Sequence, residues 1–347
     1  MTKQTHKPRV LSGIRPTGSL HLGNYLGAIK GDLELQNDDR YETLYMVADL
    51  HGLTTPFSPE ELAKSRREVI IDYLAAGLDP AKSVIFLQSM VPEHIELAYY
   101  FSTVMTVARM QHLPTFKDKV KQYPDHVTMA LLNYPVLMAA DILVYQASSV
   151  PVGIDQEPHI EVAREIARKM NDQYGLNFPE PRRFETPGAY VPSLTGVGKM
   201  SKSVPGSYIA MSDDLATIES RLRSVPTDSG QGSIGPTRVK EIKHYTDKSG
   251  QPSPGVACLL SLVELFEGLT QRHAYETQYE GEGLRYSQVK SQLAQAIYQE
   301  LQPFQAKRQE LVADQKYVDQ VIRQGADRAR TIAAHTVSLV KRRIGVA

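Results

Sequence analysis

Lys199-Met200-Ser201-Lys202-Ser203 sets two lysines three residues apart on a stretch bounded by Gly196 and Gly198 on one side and Gly206 on the other. Two ammonium groups and two hydroxyls on one loop can reach a single multiply charged anion, and pyrophosphate is such an anion. A second stretch, Ile14-Arg15-Pro16-Thr17-Gly18-Ser19-Leu20-His21-Leu22-Gly23-Asn24, follows a short apolar run and precedes a segment of helical apolar spacing, Tyr25 to Leu35. A turn from strand into helix is a place to hold phosphate, because the helix start offers N–H groups and the positive end of its dipole. Gly18 lets the backbone turn sharply, and Gly23 lets a ligand lie close to the main chain. His21 and Asn24 are three apart, so both can face one ligand. Taken singly, each stretch also has an ordinary reading: a solvated linker with two lysines, and a plain strand-to-helix turn.

A third group is Tyr134, Met138 and Asp141, spaced i, i+4 and i+7 and therefore on one face of a helix whose start Pro135 sets close to Tyr134. Asp141 stands in an otherwise apolar segment, where a buried carboxylate needs a partner. That partner is either a ligand N–H or a neighbouring core side chain. Met138 fills a core or offers a thioether to an aromatic ring.

The elements that must position these groups alternate. Val10 to Ile14, Thr43 to Ala48, Ser83 to Leu87 and Val150 to Gly153 read as strands; Pro59 to Ala76, Pro92 to Met110, Tyr134 to Tyr145 and Gln156 to Tyr174 read as helices. That alternation predicts an α/β fold with a doubly wound parallel sheet, whose ligands bind at the carboxyl ends of the strands. Phe178 to Gly206 is crowded with proline and glycine and reads as linker. Beyond it, a helix capped by Ser212 or Asp213, a second proline and glycine stretch at Pro226 to Gly235, and helices at Pro252 to Leu269, Glu282 to Leu301 and Lys316 to Lys341 predict a smaller all-α domain. The expected division is 1–205 and 206–347, with the last helix returning to the first domain.

Composition narrows the function classes. With 41% hydrophobic and 22% charged residues the 347-residue chain is an ordinary globular one, and 39 basic against 39 acidic residues leave no net field to recruit a polyanion. A local patch must do that. The end of the last helix offers one: Arg323, Arg328, Arg330, Lys341, Arg342 and Arg343 against a single acid, Asp327, from Gln320 to Ala347. A solvated helix face is the commoner meaning of such a run. The lone Cys258 excludes an intramolecular disulfide, a multi-cysteine zinc site and an iron-sulfur cluster, and points to a reducing cytoplasm. No apolar run of about 18 residues predicts a membrane span, and no secretory signal is read at the start.

Together, His21-Leu22-Gly23-Asn24 and Lys199 to Ser203 resemble the two signatures of the class I aminoacyl-tRNA synthetases. Asn24 stands where the commoner pattern has a second histidine. Ser12 to Gly18, Val47-Ala48-Asp49-Leu50-His51, Tyr134 to Leu143, Val150 to Gln156 and Thr227-Asp228-Ser229 are similar to the bacterial tryptophanyl members of that class. The resemblance implies a Rossmann-like catalytic domain, ATP and Mg²⁺, L-tryptophan and tRNA(Trp) as partners, and a homodimer. It implies ATP contacts at Arg15, Pro16, Thr17, Gly23, Asn24, Gly153, Ile154, Asp155, Val191, Lys199, Met200, Ser201, Lys202 and Ser203. Tryptophan contacts are implied at Tyr134, Met138, Asp141 and Gln156, with His51 nearby, and catalysis at His21, Lys199 and Lys202. No protein-built metal cage is expected. Tyrosyl-tRNA synthetases share the fold and the Tyr, Gln, Asp face, but Met138 stands where they have glutamine. A non-catalytic tRNA-binding paralogue is the other alternative, although His21 and Lys202 are both present.

Overall fold

The computed structural model describes residues 7–18, 20–184, 190–202, 204–235 and 243–347. In chain order the elements are β1 (Arg9–Ile14), α1 (Leu22–Asn24), a π-helical turn (Tyr25–Ile29), α2 (Lys30–Gln36), β2 (Glu42–Val47), α3 (Pro59–Ala75), β3 (Val84–Leu87) and α4 (Glu93–Ser102). There follow α5 (Val107–Gln111), α6 (Pro114–Gln122), α7 (Met129–Val144), β4 (Ser149–Val150), α8 (Glu157–Tyr174) and β5 (Arg182–Arg183). The rest comprises α9 (Leu215–Arg223), β6 (Gly232–Ile234), β7 (Tyr245–Asp247), α10 (Pro254–Glu267), α11 (Leu269–Glu280), α12 (Tyr286–Ala313) and α13 (Gln315–Ile344).

β1 to β5 form one parallel sheet in the order β3-β2-β1-β4-β5. Its middle strands are buried on both faces, Val10, Leu44, Val47 and Phe86 being wholly inside, as the continuous apolar runs require. The order reverses at β1, where the chain passes from the β2 side to the β4 side, so the crevice for a ligand opens beyond the carboxyl ends of β1, β2 and β4. The doubly wound sheet is as the sequence predicts. β5 lies inside the stretch read as linker; two residues of ladder leave no period to read.

Several helix boundaries differ from expectation for identifiable reasons. The run from Pro92 breaks after Ser102, and Thr106 caps α5 by accepting from Arg109 N at 3.3 Å. α7 starts at Met129, capped by Thr128, and carries Pro135 in its second turn, where the ring removes one bond to the i−4 carbonyl. Asp214, not Ser212 or Asp213, caps α9 through Thr217 N at 2.8 Å.

Contacts group the chain into two compact units, Met1–Gly18 with Gly31–Thr186 and Leu311–Ala347, and Ser19–Lys30 with Pro187–Glu310. The grouping runs across residue 205. In the first unit α13 packs on β3, and a Cβ at Gly325 would stand 1.7 Å from Ile85 O, so only glycine lets the helix lie on that strand. Arg328 donates to Pro80 O (2.6 Å) and Ser83 O (3.0 Å), Arg330 pairs with Glu93 and Lys341 with Glu96. Three cations of the expected tRNA patch thus seat this helix. In the second unit residues 20–22 clip onto 209–211 through Leu22 N to Ile209 O (3.0 Å) and Met211 N to Leu20 O (2.9 Å). No helix among the described residues is long and apolar enough to cross a membrane.

Candidate functional site

A cavity of about 360 Å³ lies in the first unit at the sheet's switch point. Leu11, Gly13 and Arg15 reach it from β1 and its end, Met46, Ala48 and His51 from β2 and its end, Val150 and Val152 from β4 and its end, and Tyr134, Met138 and Asp141 from α7. Tyr134, Met138, Asp141, Gln156 and His51, the residues expected to meet the amino acid, all line it. Of the residues expected to meet ATP, Arg15 lines it; Pro16, Thr17, Gly153, Ile154 and Asp155 do not.

Asp141, 2% exposed, is held on three sides: His51 Nε2 at 2.7 Å on Oδ2, Gln88 Nε2 at 2.7 Å and His94 Nδ1 at 2.6 Å on Oδ1. Burial by itself raises its pKa, but the hydrogen bonds from His51 and His94 outweigh that and hold it ionised, below the usual carboxylate range. Both readings of Asp141 therefore meet in one residue: it is satisfied by core side chains and it also faces the cavity.

Across the cavity, Asp155 fixes a hydrogen-bonded chain. Gln156 Nε2 donates to Asp155 Oδ2 (2.7 Å), which turns Gln156 Oε1 toward His159 Nδ1 (2.9 Å); that nitrogen carries the proton, Nε2 accepts from the Thr115 hydroxyl (2.8 Å), and Tyr134 in turn donates its hydroxyl to Thr115 Oγ1 (2.8 Å). His159 is neutral, its pKa pulled down to about 4 by burial. The positive end of the cavity is Arg15 and Lys119. Arg15 donates to Thr55 Oγ1 (3.1 Å) while its buried Nε has no hydrogen-bond partner, and burial lowers the pKa of both cations. An apolar wall, one acid and two cations suit an aromatic amino acid whose carboxylate is drawn toward an electrophile.

The second unit carries the two signature stretches. Gly18, at the close of the first unit's opening segment, has φ +95, as the sharp turn demands. His21 is the N-cap of α1; its own N–H goes to Asn24 Oδ1 (3.2 Å), and that of Leu22 to Ile209 O. Two N–H groups expected to await phosphate are thus already paired, and Asn24 works as a backward cap, a use for an amide oxygen at the third helical position. The His21 ring lies over Gly23, in the space the sequence reading gave to a ligand. Burial, with the charges of Lys202 and Lys199 behind it, lowers the His21 pKa to about 4, so the imidazole is neutral. Its buried Nδ1 has no partner.

Met200, expected among the ATP contacts, is 2% exposed and packs its Cβ toward Gly23; its N–H donates to Val191 O at 3.0 Å, and Val191 is itself buried. These side chains anchor the loop. Ser201 is tied to the buried Ser207 through backbone and hydroxyl, and Lys199 stands exposed. Ser203 lies outside the described residues. Gln88, His94, Thr115, Lys119 and His159 were not foreseen. Gln88 follows the carboxyl end of β3, and that position alone could have marked it.

The family model for class I tRNA synthetases (W and Y) matches residues 3–302. The chain belongs to that family. Among relatives of the class I synthetase family, a tryptophan–tRNA ligase of Porphyromonas gingivalis is 40% identical over 340 residues, covering 97% of this chain and 98% of that one. One from Deinococcus radiodurans is 39% identical over 343 residues, with 97% and 98% covered. The crystal structure of tryptophanyl-tRNA synthetase from Campylobacter jejuni complexed with ADP and tryptophan aligns with TM-score 0.80 at 31% identity over 97% of this chain and 99% of that one. A tyrosyl-tRNA synthetase from Archaeoglobus fulgidus, at 20% identity and TM-score 0.64, shares the fold.

Proposed function

We propose that the chain attaches L-tryptophan to tRNA(Trp) through a tryptophanyl-adenylate. The observation that carries this is the cavity at the switch point, whose one carboxylate faces an apolar wall built by Met46, Met138 and Ile142. Indole fits such a wall and offers one N–H to Asp141; the name shared by the full-length relatives supports the same substrate. An oxygen of the tryptophan carboxylate attacks the α-phosphorus of MgATP, the bond to the bridging oxygen breaks, and pyrophosphate leaves. The terminal ribose hydroxyl of the tRNA then takes the acyl group and AMP is released. No covalent enzyme intermediate is needed, so the protein's part is orientation and charge stabilisation. When magnesium is bound with ATP, phosphate oxygens and water would supply its ligands.

In this reading Tyr134 and Gln156 hold the amino group, His21 gives one neutral hydrogen bond to phosphate, and Lys199 and Lys202 meet the charge developing on pyrophosphate. Residues 206–310 read the tRNA, and the buried Cys258 fits a cytoplasmic setting. A homodimer follows from the resemblance, and on α4 the exposed Ile95 and Tyr99, one turn apart, offer a second copy an apolar stripe. Exchange of pyrophosphate into ATP, measured with tryptophan, tyrosine and phenylalanine, and charging of tRNA(Trp) test the function. Exchange with tyrosine in preference to tryptophan would overturn it.

A further inference from the structure

Asp141 is the only carboxylate among the residues lining the cavity, and the groups that hold it are themselves held. Gln88 Oε1 accepts Leu50 N at 3.0 Å, which turns its Nε2 toward Asp141. Behind His94 the hydroxyl of Tyr145 lies 2.7 Å from Nε2. His94, Gln88 and Tyr145 are fully buried, the imidazole and phenol rings meeting edge to face with Phe86 against both.

We infer that His94 and Tyr145, neither of which lines the cavity, are positioning residues that set substrate selectivity by leaving Asp141 a single open acceptor position. The inference rests on the reading that the cavity takes tryptophan with its indole N–H toward Asp141. A nitrogen 2.6 Å from a carboxylate must carry its proton, so His94 is protonated on Nδ1. Nε2 then presents a lone pair, and the Tyr145 hydroxyl, whose pKa burial raises, donates to it. Two N–H groups therefore fill Oδ1, and His51 fills one position of Oδ2. A carboxylate has about four acceptor positions, so one remains, on Oδ2. With Oδ1 pinned the carboxylate cannot rotate, and that position stays where it is. A ligand with an N–H there completes the set; an isostere with a lone-pair atom there meets a fixed negative charge.

The probe is 3-benzothienylalanine, tryptophan with sulfur in place of the indole N–H. The measurement is kcat/KM in pyrophosphate exchange for tryptophan and for this analogue, with the wild type, Tyr145→Phe, His94→Leu and His94→Asn. The wild type is expected to prefer tryptophan by the order of a thousandfold or more. Tyr145→Phe keeps the ring and touches no substrate, and should shrink the preference about tenfold; His94→Leu should shrink it about a hundredfold. His94→Asn puts an amide N–H where Nδ1 was and should restore most of it. General loosening of the core would slow both substrates alike and leave the ratio unchanged, with or without a lower melting temperature. An unchanged ratio in Tyr145→Phe, in a wild type that discriminates, overturns this inference and leaves the tryptophan reading standing. A wild type that uses both substrates equally overturns both.

Discussion

The imidazole of His21 lies across Gly23, so close that a Cβ on residue 23 would stand 2.8 Å from Cε1 and 2.9 Å from Nδ1. The glycine thus makes room for the histidine of its own motif. Gly23→Ala must turn the ring away or shift α1, and misplacing a group that orients phosphate by about 1 Å costs on the order of a hundredfold in rate. We predict that loss in pyrophosphate exchange with an unchanged melting temperature. Wild-type exchange by Gly23→Ala would mean that the ring position does not matter.

His21 is neutral because burial and two lysines disfavour its charge, with a pKa of about 4. Its action on phosphate is then that of a donor, and no proton is transferred in activation. His21→Asn should keep far more exchange activity than His21→Ala, since an amide can donate too. Lys202→Ala should lose on the order of a hundredfold in exchange and also raise the His21 pKa by removing one of the two charges, read from the imidazole resonance in an NMR titration. A His21 midpoint that stays put or falls in Lys202→Ala would separate the two residues.

Gly325 sits against Ile85 O with no room for a methyl group, and the atom in the way is backbone. Gly325→Ala must lift α13 from β3 and pull on the Arg328 bonds to Pro80 and Ser83. Destabilisation of about 1–3 kcal/mol is expected, visible as a lower thermal midpoint. Equal midpoints for the variant and the wild type would show that α13 is not seated on this strand.

How much of this was legible in the sequence differs by element. The strands β1 to β3 stand out as apolar runs because both faces are covered, and the i, i+4, i+7 face of α7 appears in the cavity as its spacing requires. β4 and β5, two residues each, carry no period. Asp141 was marked by its apolar setting, but its partners Gln88 and His94 are distant in sequence and ordinary in context; only folding brings them within 2.7 Å. In the basic run of α13 the sequence shows the charges but not their partners: Arg330 and Lys341 answer Glu93 and Glu96 on α4. Gly23 and Gly325 look alike in the sequence, yet one yields to an imidazole and the other to a carbonyl.

Asp32 gives the chain a pH-dependent cost. It is 1% exposed, Ser12 donates to its Oδ2 at 3.1 Å, Oδ1 has no partner, and burial raises its pKa to about 8. An unfolded aspartate titrates near 4. Below that both states are protonated and the folded state bears no penalty. From about pH 4 to 8 the unfolded chain releases its proton while the folded one keeps it, so stability falls by about 1.4 kcal/mol for each pH unit. Above pH 8 the loss is complete. Asp32→Asn keeps an oxygen for Ser12 and cannot titrate, so its advantage in denaturant unfolding should be small at pH 4.5, grow steadily to pH 8 and level off beyond. A difference between the two proteins that does not change over that range would show that Asp32 is ionised in the folded state at neutral pH.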